Sequence, residues 1–134
     1  MRIEIEREED GRWIAEIPAL PGVLAYADSE EAARAKAEAL ALRVIADRLE
    51  HGEPVPPRPV DSSRHEQLVV GQGNAVLRAL LRAGWTIKRQ TGSHRTLSRD
   101  GWADYVFAFH DSDEVGPAML ARIARHTGLR PEDL

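Results

Sequence analysis

The sequence predicts an α+β fold divided into two small units, and three observations support that prediction. Proline recurs four times within residues 52–63, where it removes backbone donors and holds φ near the polyproline value. Before this stretch, apolar residues recur first with period two and then at helical spacing. After it, helical spacing flanks three alternating segments. We therefore expect an N-terminal unit at residues 1–52, a linker at residues 53–71 and a C-terminal unit at residues 72–134.

The composition is that of a globular protein. Of the 134 residues, 43% are hydrophobic and 30% are charged, which is enough apolar material for a core. Cysteine does not occur, so disulfides and thiolate metal sites are excluded. The first residues alternate apolar and charged side chains, so we expect neither a signal peptide nor a membrane span, and a cytoplasmic location.

Charge is distributed unequally along the chain. Residues 1–60 carry 8 Lys and Arg against 13 Asp and Glu, whereas residues 61–134 carry 10 against 9. Residues 67–99 contain no acidic residue, and their cations are Arg78, Arg82, Lys88, Arg89, Arg95 and Arg99. Such a segment suits a polyanion, because each Lys or Arg set against a phosphate releases condensed counterions. A solvated basic face accounts for it equally well.

The N-terminal unit is predicted to contain three strands. Residues 3–5 and 13–17 alternate apolar and polar side chains, and Asp10-Gly11 between them has the composition of a two-residue hairpin turn. Proline and glycine then predict a bend, after which residues 23–27 supply the third strand.

A helix is predicted after these strands and extends to about Glu50. Asp28 and Ser29 open it, with Glu31 at capping-box spacing from Asp28. Its apolar residues recur at helical spacing, which predicts one stripe facing the sheet. The stripe consists of Ala33, Ala37, Leu40, Ala41, Val44, Ile45 and Leu49.

The C-terminal unit is predicted to contain a helix, three antiparallel strands and a second helix. Asn74 is placed to cap the first helix and Gly84 to end it. The second helix begins at Pro117 and stops at Gly128. The three strands are expected at residues 85–90, 94–99 and 103–109. A further short strand, whose partner the sequence leaves open, is expected at residues 68–70.

Three motifs characterise the N-terminal unit. They are Asp10-Gly11-Arg12-Trp13-Ile14-Ala15-Glu16-Ile17-Pro18, Leu20-Pro21-Gly22 and Asp28-Ser29-Glu30-Glu31-Ala32. With these motifs the unit resembles the HicB antitoxin family. The resemblance implies a partial ribonuclease-H-like fold and the role of an antitoxin.

The C-terminal unit has motifs of its own. They are Leu80-Leu81-Arg82-Ala83-Gly84-Trp85, Arg89-Gln90-Thr91-Gly92-Ser93-His94, the single His110, and Leu120-Ala121-Arg122-Ile123-Ala124-Arg125-His126-Thr127-Gly128-Leu129. With these motifs the unit resembles the HicA toxin family. The resemblance implies a double-stranded-RNA-binding-like fold and an mRNA interferase, that is, a ribonuclease directed at mRNA.

Together the two resemblances imply a fused type II toxin–antitoxin protein in which the N-terminal unit restrains the C-terminal one. Such antitoxins often append a DNA-binding segment, whereas this chain passes through the linker straight into the toxin-like unit, so DNA binding is not expected. The expected partners are mRNA and the opposite unit, in the same chain or a neighbouring one, within a homo-oligomer. No membrane partner and no cofactor are expected.

Given the resemblance, His94 is the candidate catalytic residue. Metal-independent RNA cleavage needs a base for the 2′-hydroxyl proton, an acid for the 5′-oxygen and cations for the charge on phosphorus. Histidine titrates near neutrality and suits either proton role, and the small Gly92 and Ser93 leave room beside His94 for a phosphate. Without the resemblance, an ordinary surface histidine would explain His94. The candidate RNA-binding residues are Lys88, Arg89, Ser93 and Arg95, and no metal ligand is assigned.

His110 is a candidate auxiliary residue, with a structural role as the alternative. If Asp100-Gly101 closes a two-residue hairpin, His94 faces Phe107 across the strands and His110 points the other way. A one-residue change in the loop reverses this arrangement, because strand faces alternate with period two.

Other polar and aromatic residues are interpreted structurally. Glu4, Glu6 and Glu16 are expected to form an exposed acidic face that complements the basic segment, rather than metal ligands. Tyr105, Phe107 and Phe109 suit a base-stacking platform or the core, and the core is favoured. His51, His65 and His126 have no metal-ligand spacing and are expected at the surface.

Two functions of other classes remain open beside the fused toxin–antitoxin protein. One is a non-catalytic RNA-binding regulator, because the same basic segment would serve binding without cleavage. The other is a two-module oligomeric interaction protein.

Overall fold

The computed structural model describes residues 2–55 and 71–134. The N-terminal unit consists of β1 (Glu4–Arg7), β2 (Trp13–Glu16), β3 (Leu24–Ala27) and α1 (Glu30–Glu50). Its strands form one antiparallel sheet in the order β1-β2-β3, with Arg7 opposite Trp13 and Trp13 opposite Ala27. The alternating residues thus form the strands that their pattern predicts.

The turn between β1 and β2 is one residue longer than the sequence predicts. The Glu8 N–H donates to the Arg12 carbonyl at 2.8 Å, which leaves residues 9–11 in the loop. Gly11 adopts a φ of 92°, the left-handed conformation that closes a three-residue hairpin loop. The expected two-residue turn at Asp10-Gly11 was therefore wrong, although its glycine supplies the required conformation.

Helix α1 begins after Ser29, whose hydroxyl accepts the Ala32 N–H at 3.1 Å. Asp28 is thus not the cap, and the predicted capping box is wrong. The apolar stripe packs against the sheet as far as Val44, but Leu49 is 67% exposed. Asp47 and Arg48 are buried in its place, because the last turns of the helix face the C-terminal unit. No helix in the described parts of the chain is long and apolar enough to cross a membrane.

The C-terminal unit has the predicted order of helix, three strands and helix, with one extra pair of strands. Its elements are β4 (Gly71–Gln72), α2 (Gly73–Arg82), β5 (Thr86–Thr91), β6 (His94–Ser98), β7 (Tyr105–Phe107), β8 (Glu114–Val115), α3 (Pro117–Thr127) and a 3-10 turn (Pro131–Asp133). Strands β5, β6 and β7 form an antiparallel sheet, and β4 pairs with β8. The expected strand at residues 68–70 lies outside the described residues.

The start of α2 differs from the sequence prediction. Asn74 does not cap the helix, because β4 leads directly into it and Gly73 is already helical. The Gly73 and Asn74 N–H groups donate instead to the carbonyls of Asp113 and Asp111 at 2.9 and 3.1 Å. Backbone carbonyls of a distant loop therefore replace the side-chain cap.

The predicted ends of the two C-terminal helices are confirmed. Gly84 follows α2 with a φ of 108°, and Gly128 ends α3 with a φ of 71°. Pro117 is the first residue of α3, where its missing N–H costs nothing. Glu8 from the β1–β2 loop accepts the Ala118 N–H at 3.0 Å, so a carboxylate of the N-terminal unit caps this helix.

The sheet β5-β6-β7 of the C-terminal unit packs on both of its faces, with its own helices on one side and the N-terminal unit on the other. Arg95 pairs with Phe107, and Tyr105 and Phe107 are buried against α2 and α3, which confirms these two aromatic residues as core. Val106, on the opposite face, packs in the cluster of α1 and the first sheet. Ile14 of β2 packs in return in the cluster of α2 and α3. The α+β class is confirmed, whereas the finer fold likenesses and the domain boundaries remain predictions.

The free edge of β7 is closed by the bend at Pro21-Gly22. The Val106 N–H donates to the Pro21 carbonyl at 2.9 Å. Gly22 has a φ of 91°, and a Cβ there would lie 1.8 Å from the Val106 carbonyl oxygen. Only glycine allows the two backbones to approach this closely.

We expect Gly22→Ala to lower the free energy of unfolding by about 3 kcal/mol, because it combines an unfavourable φ with overlap against backbone atoms. Gly101→Ala is the matched control, since Gly101 has a φ of 82° and open space around it. It should cost about 1 kcal/mol. Urea unfolding of the full chain measures both, and equal losses would contradict the close approach at Gly22.

Candidate functional site at the interface of the units

His94 is buried where the two units meet. It is the first residue of β6, directly after a two-residue turn in which Gly92 has a φ of 59°. Because Arg95 and Phe107 share one face of the sheet, His94 lies on the opposite face, towards α1. Only 2% of its surface is exposed. The space that the sequence suggests for a phosphate beside His94 is therefore closed in this arrangement.

Burial sets the protonation of His94. Desolvation lowers the pKa of the imidazole, and this outweighs the opposing effect of Asp47. The positive charges of Arg43 and Arg89 lower the pKa further. Nε2 is buried without a hydrogen-bond partner among the described residues. In this arrangement of the two units, which we call the closed chain, His94 is thus neutral at physiological pH.

Arg89 of β5 is held by two carboxylates from outside the C-terminal unit. Its Nη2 lies 2.8 Å from Asp47 Oδ2 and 2.5 Å from Glu53 Oε1, and its Nε also donates to Asp47. Thr91 donates to the same Asp47 at 2.8 Å. The hydrogen bonds from Arg89 are the main cause that lowers the pKa of Glu53 to about 2. The guanidinium is occupied in the fork geometry that it would use for a phosphate.

Lys88 is held in the same cluster. Its Nζ lies 2.6 Å from Glu53 Oε2 and 2.9 Å from Asp104 Oδ2. Neighbouring residues of a regular strand point to opposite faces, but the pairing of β5 shifts between Ile87 and Arg89. This β-bulge allows Lys88 and Arg89 to reach one carboxylate together.

The other two candidate RNA-binding residues lie apart from this cluster. Ser93 is exposed and Arg95 is half-buried. Both line a cavity of about 290 Å³ together with Gln90 and His110. The four residues selected from the sequence therefore form two sets, one covered by carboxylates and one open.

His110 lies after the end of β7 and is exposed. Its backbone N–H donates to Asp113 Oδ2 at 2.8 Å. The observed register sets Arg95, rather than His94, opposite Phe107, so the face assignment drawn from a two-residue hairpin was wrong. His110 instead lines a common cavity with Ser93, the neighbour of His94. Its auxiliary role remains a prediction.

A second polar contact joins the units at α3. Arg122, which is 6% exposed, contacts Glu6 at 2.7 Å, Glu4 at 2.9 Å and also Glu16. His126 Nε2 lies 3.2 Å from Glu16 Oε2. Burial raises the pKa of Glu16, but the hydrogen bond of His126 and the charge of Arg122 outweigh it, so the net shift is downward.

Two sequence expectations were therefore wrong at this contact. Glu16 is buried rather than part of an exposed face, and His126 is buried rather than superficial. Both errors arise because α3 packs on the strand face that carries the glutamates. Within residues 2–55 and 71–134, no three His, Asp or Glu side chains are grouped to hold a metal ion. His51 is exposed as expected, and His65 lies outside the described residues.

Sequence reasoning missed Asp47 and Glu53. Glu53 was placed in the linker, where a charged residue is unremarkable. Asp47 did leave a signal, because it falls three residues after Val44, where the apolar stripe of α1 would continue. A carboxylate at such a position indicates a buried cationic partner.

Comparison with known proteins supports the resemblance of the C-terminal unit. Residues 73–129 match the family described as HicA toxin of bacterial toxin–antitoxin. Searches of curated proteins and of solved structures gave no significant match. The matched segment begins with α2 and ends just after α3, so it includes His94, Lys88 and Arg89. It excludes Asp47 and Glu53, the two carboxylates that bind Arg89. The C-terminal part of the chain is thus similar to the toxin of a toxin–antitoxin system.

Proposed function

We propose that the chain is a fused toxin–antitoxin protein. In this proposal the C-terminal unit is an RNA-cleaving toxin of the mRNA interferase type, and the N-terminal unit is a HicB-like antitoxin that keeps it closed. The family match of residues 73–129 supports the toxin half. The contacts of Asp47 on α1 with Arg89 and Thr91 on β5 support the restraint.

One observation carries the proposal: the groups that RNA cleavage would require are covered by α1 and by Glu53, which follows it closely. The carboxylates of Asp47 and Glu53 both bind Arg89, and that of Glu53 also binds Lys88. His94 is buried and neutral beneath α1. Carboxylate oxygens therefore occupy the positions where phosphate oxygens would bind these cations.

Cleavage becomes possible once the units separate. The 2′-hydroxyl of a ribose loses its proton as its oxygen attacks the adjacent phosphorus, and the bond between phosphorus and the 5′-oxygen breaks. The 5′-oxygen takes up a proton, so a 2′,3′-cyclic phosphate and a 5′-hydroxyl result. In this scheme His94 transfers a proton to or from one of these oxygens. Arg89 and Lys88 bind the phosphate and stabilise the charge that develops on it. We expect no metal in this reaction.

The restraining contacts lie within one chain. Tethered partners meet at an effective concentration on the order of millimolar when the linker matches the span, so a modest interface keeps the site closed. The same contacts could form between neighbouring chains, and the expected homo-oligomer remains a prediction. In either case the intact protein should be nearly inert towards RNA.

A non-catalytic RNA-binding regulator is the second candidate, and a specific observation favours it. Ser93 and Arg95 stay accessible beside the open cavity while His94 is covered. A closed chain could therefore bind RNA without cutting it. The two candidates differ in whether the chain cleaves RNA once the contacts that cover His94 and Arg89 have been removed.

We expect the double substitution Asp47→Asn with Glu53→Gln to release activity in the full chain. Removing the partners of a partly buried cation weakens closure by about 3 kcal/mol, which corresponds to about a hundredfold more open protein. Cleavage of a labelled single-stranded RNA should rise by a similar factor. Adding His94→Ala should abolish cleavage and leave RNA affinity within a few-fold.

The matched control is Glu38→Gln with Glu50→Gln, which removes the same charge from exposed positions of α1. Its cleavage should equal that of the wild type. If the Asp47 and Glu53 variant binds RNA tightly but does not cut it, the regulator is the better description. Unchanged binding and cleavage would show that these carboxylates do not restrain the site.

We also expect the closed chain to lose stability between pH 7.5 and 5.5 through His94. A depressed histidine pKa contributes stability that is fully present above the unfolded value of about 6.5 and is lost as the pH falls towards the folded value. Asp47, Glu16 and Glu53 have lowered pKa values and stay ionised in this window.

The measurement compares urea unfolding of the wild type and of His94→Gln across this range. The wild type should lose up to about 1 kcal/mol per pH unit more than the variant. His126 is present in both proteins and cancels in the difference. Parallel curves would mean that His94 is solvated in the folded chain.

Cutting the linker should not release the toxin-like unit at micromolar protein. The units share core residues and the buried Arg122 cluster, so the interface persists without the tether. A protease site inserted between residues 59 and 63 allows the test by RNA cleavage before and after cutting. Full activity immediately after the cut would refute a tight interface.

A further inference from the structure

A cationic cavity of about 430 Å³ lies between the units, beside the site described above. The N-terminal unit contributes Arg12, Lys36 and Arg43, and the C-terminal unit contributes Ser93, Phe109 and His110. The smaller cavity at Arg95 shares the last three residues. Closure of His94 by α1 leaves this space unfilled.

The charged groups of the cavity favour an anion. Lys36 and Arg43 are exposed on α1, and the ammonium of Lys36 lies 3.4 Å from the Tyr26 carbonyl. Among the described residues of the lining, Asp113 supplies the one carboxylate, and it accepts the His110 N–H. The balance of the lining is therefore positive.

Arg12 adds a third guanidinium or ammonium group to the lining. Its guanidinium lies 3.7 Å from the centre of the Tyr26 ring, with Nε on Asp10 and Nη1 on the Glu114 carbonyl. Nη2 is buried and has no hydrogen-bond partner in the described part of the chain. A buried donor of this kind is costly unless an acceptor reaches it.

The remainder of the lining is apolar. The cavity has two aromatic residues in its lining, Tyr26 and Phe109, and the half-buried Phe109 also lines the smaller cavity. The apolar residues are Leu24, Ala25, Ala39, Leu40, Ala108 and Phe109. A flat apolar group can pack here within reach of the cations, as a nucleobase does on an aromatic side chain.

We propose that this cavity binds a nucleotide, with its phosphate on Arg12, Lys36 and Arg43 and its base against the apolar surface at Phe109. The volume falls in the range of small-ligand sites, about 300–1,000 Å³. Because both units line the cavity, the ligand binds the closed arrangement and stabilises it. The site thus couples nucleotide binding to closure, and it does not depend on RNA cleavage.

Calorimetric titration of the full wild-type chain with the four nucleoside 5′-monophosphates tests this site. We expect at least one of them to bind and to raise the melting temperature. The matching nucleoside and inorganic phosphate should each bind at least about tenfold more weakly, because each lacks one half of the contacts. The ligand can be a free nucleotide or the 5′-end of an RNA chain, and a 5′-phosphorylated, 2′-O-methylated tetranucleotide distinguishes the two. If the tetranucleotide binds, the site is assigned to RNA ends. If it does not bind, the site is assigned to free nucleotides.

Lys36→Gln with Arg43→Gln should weaken nucleotide binding at least about tenfold. Both side chains are exposed on α1, so the fold should persist. Arg34→Gln is the control, since Arg34 is exposed on the same helix and lies outside the cavity lining. It should bind as the wild type does.

Three results would overturn the proposal. They are no binding of any nucleotide at millimolar concentration, phosphate binding as tightly as the nucleotide, and equal affinity in the Lys36 and Arg43 variant. These readouts require no RNA cleavage. A chain that never cuts RNA can therefore still confirm the nucleotide site, and a cleaving chain can still refute it.

Discussion

The guanidinium of Arg89 is the group on which the closed arrangement depends. Asp47 near the end of α1 and Glu53 just beyond the helix converge on it, and Lys88 joins through Glu53. Both carboxylates lie on the C-terminal part of α1 and the residues after it, so forming the pair positions the end of the helix over β6. His94 is buried as a consequence. The ion pairs of Arg89 and the burial of the His94 imidazole therefore depend on the same docking of α1.

Buried ion pairs of this kind specify an arrangement more than they stabilise it. Desolvation offsets much of the attraction between the charges, whereas a missing partner leaves an uncompensated charge and costs several kcal/mol. The same rule applies to Arg122, which pairs with Glu4, Glu6 and Glu16. The two clusters define how the units dock, while the apolar contacts of Ile14 and Val106 across the interface contribute the non-directional part of the stability.

The structure divides the candidate residues into an accessible set and a covered set. Arg95 and Ser93 remain at an open cavity, while Lys88, Arg89 and His94 do not. An anion approaching the interface therefore meets accessible cations on α1 and the β5–β6 hairpin before it meets the imidazole. This division follows from the β-bulge at Lys88, which directs two consecutive cations to the carboxylates and leaves the hairpin tip free.

The sequence by itself determined the α+β class, the order of the three helices and of the two three-stranded sheets, and the helix ends at Pro117, Gly84 and Gly128, because these depend on local periodicity and backbone chemistry. It also selected His94 and Arg89 through a short motif, and Lys88 through the basic segment that contains no acidic residue. It did not predict the pair of short strands β4 and β8. Only the tertiary structure decided that Asp47 and Glu53 cover the two cations and that Glu16 and His126 are buried, because those partners are separated by tens of residues along the chain. The one-residue error in the β6–β7 register has the same origin, since packing on both faces of the sheet, and not the turn composition, selects the register.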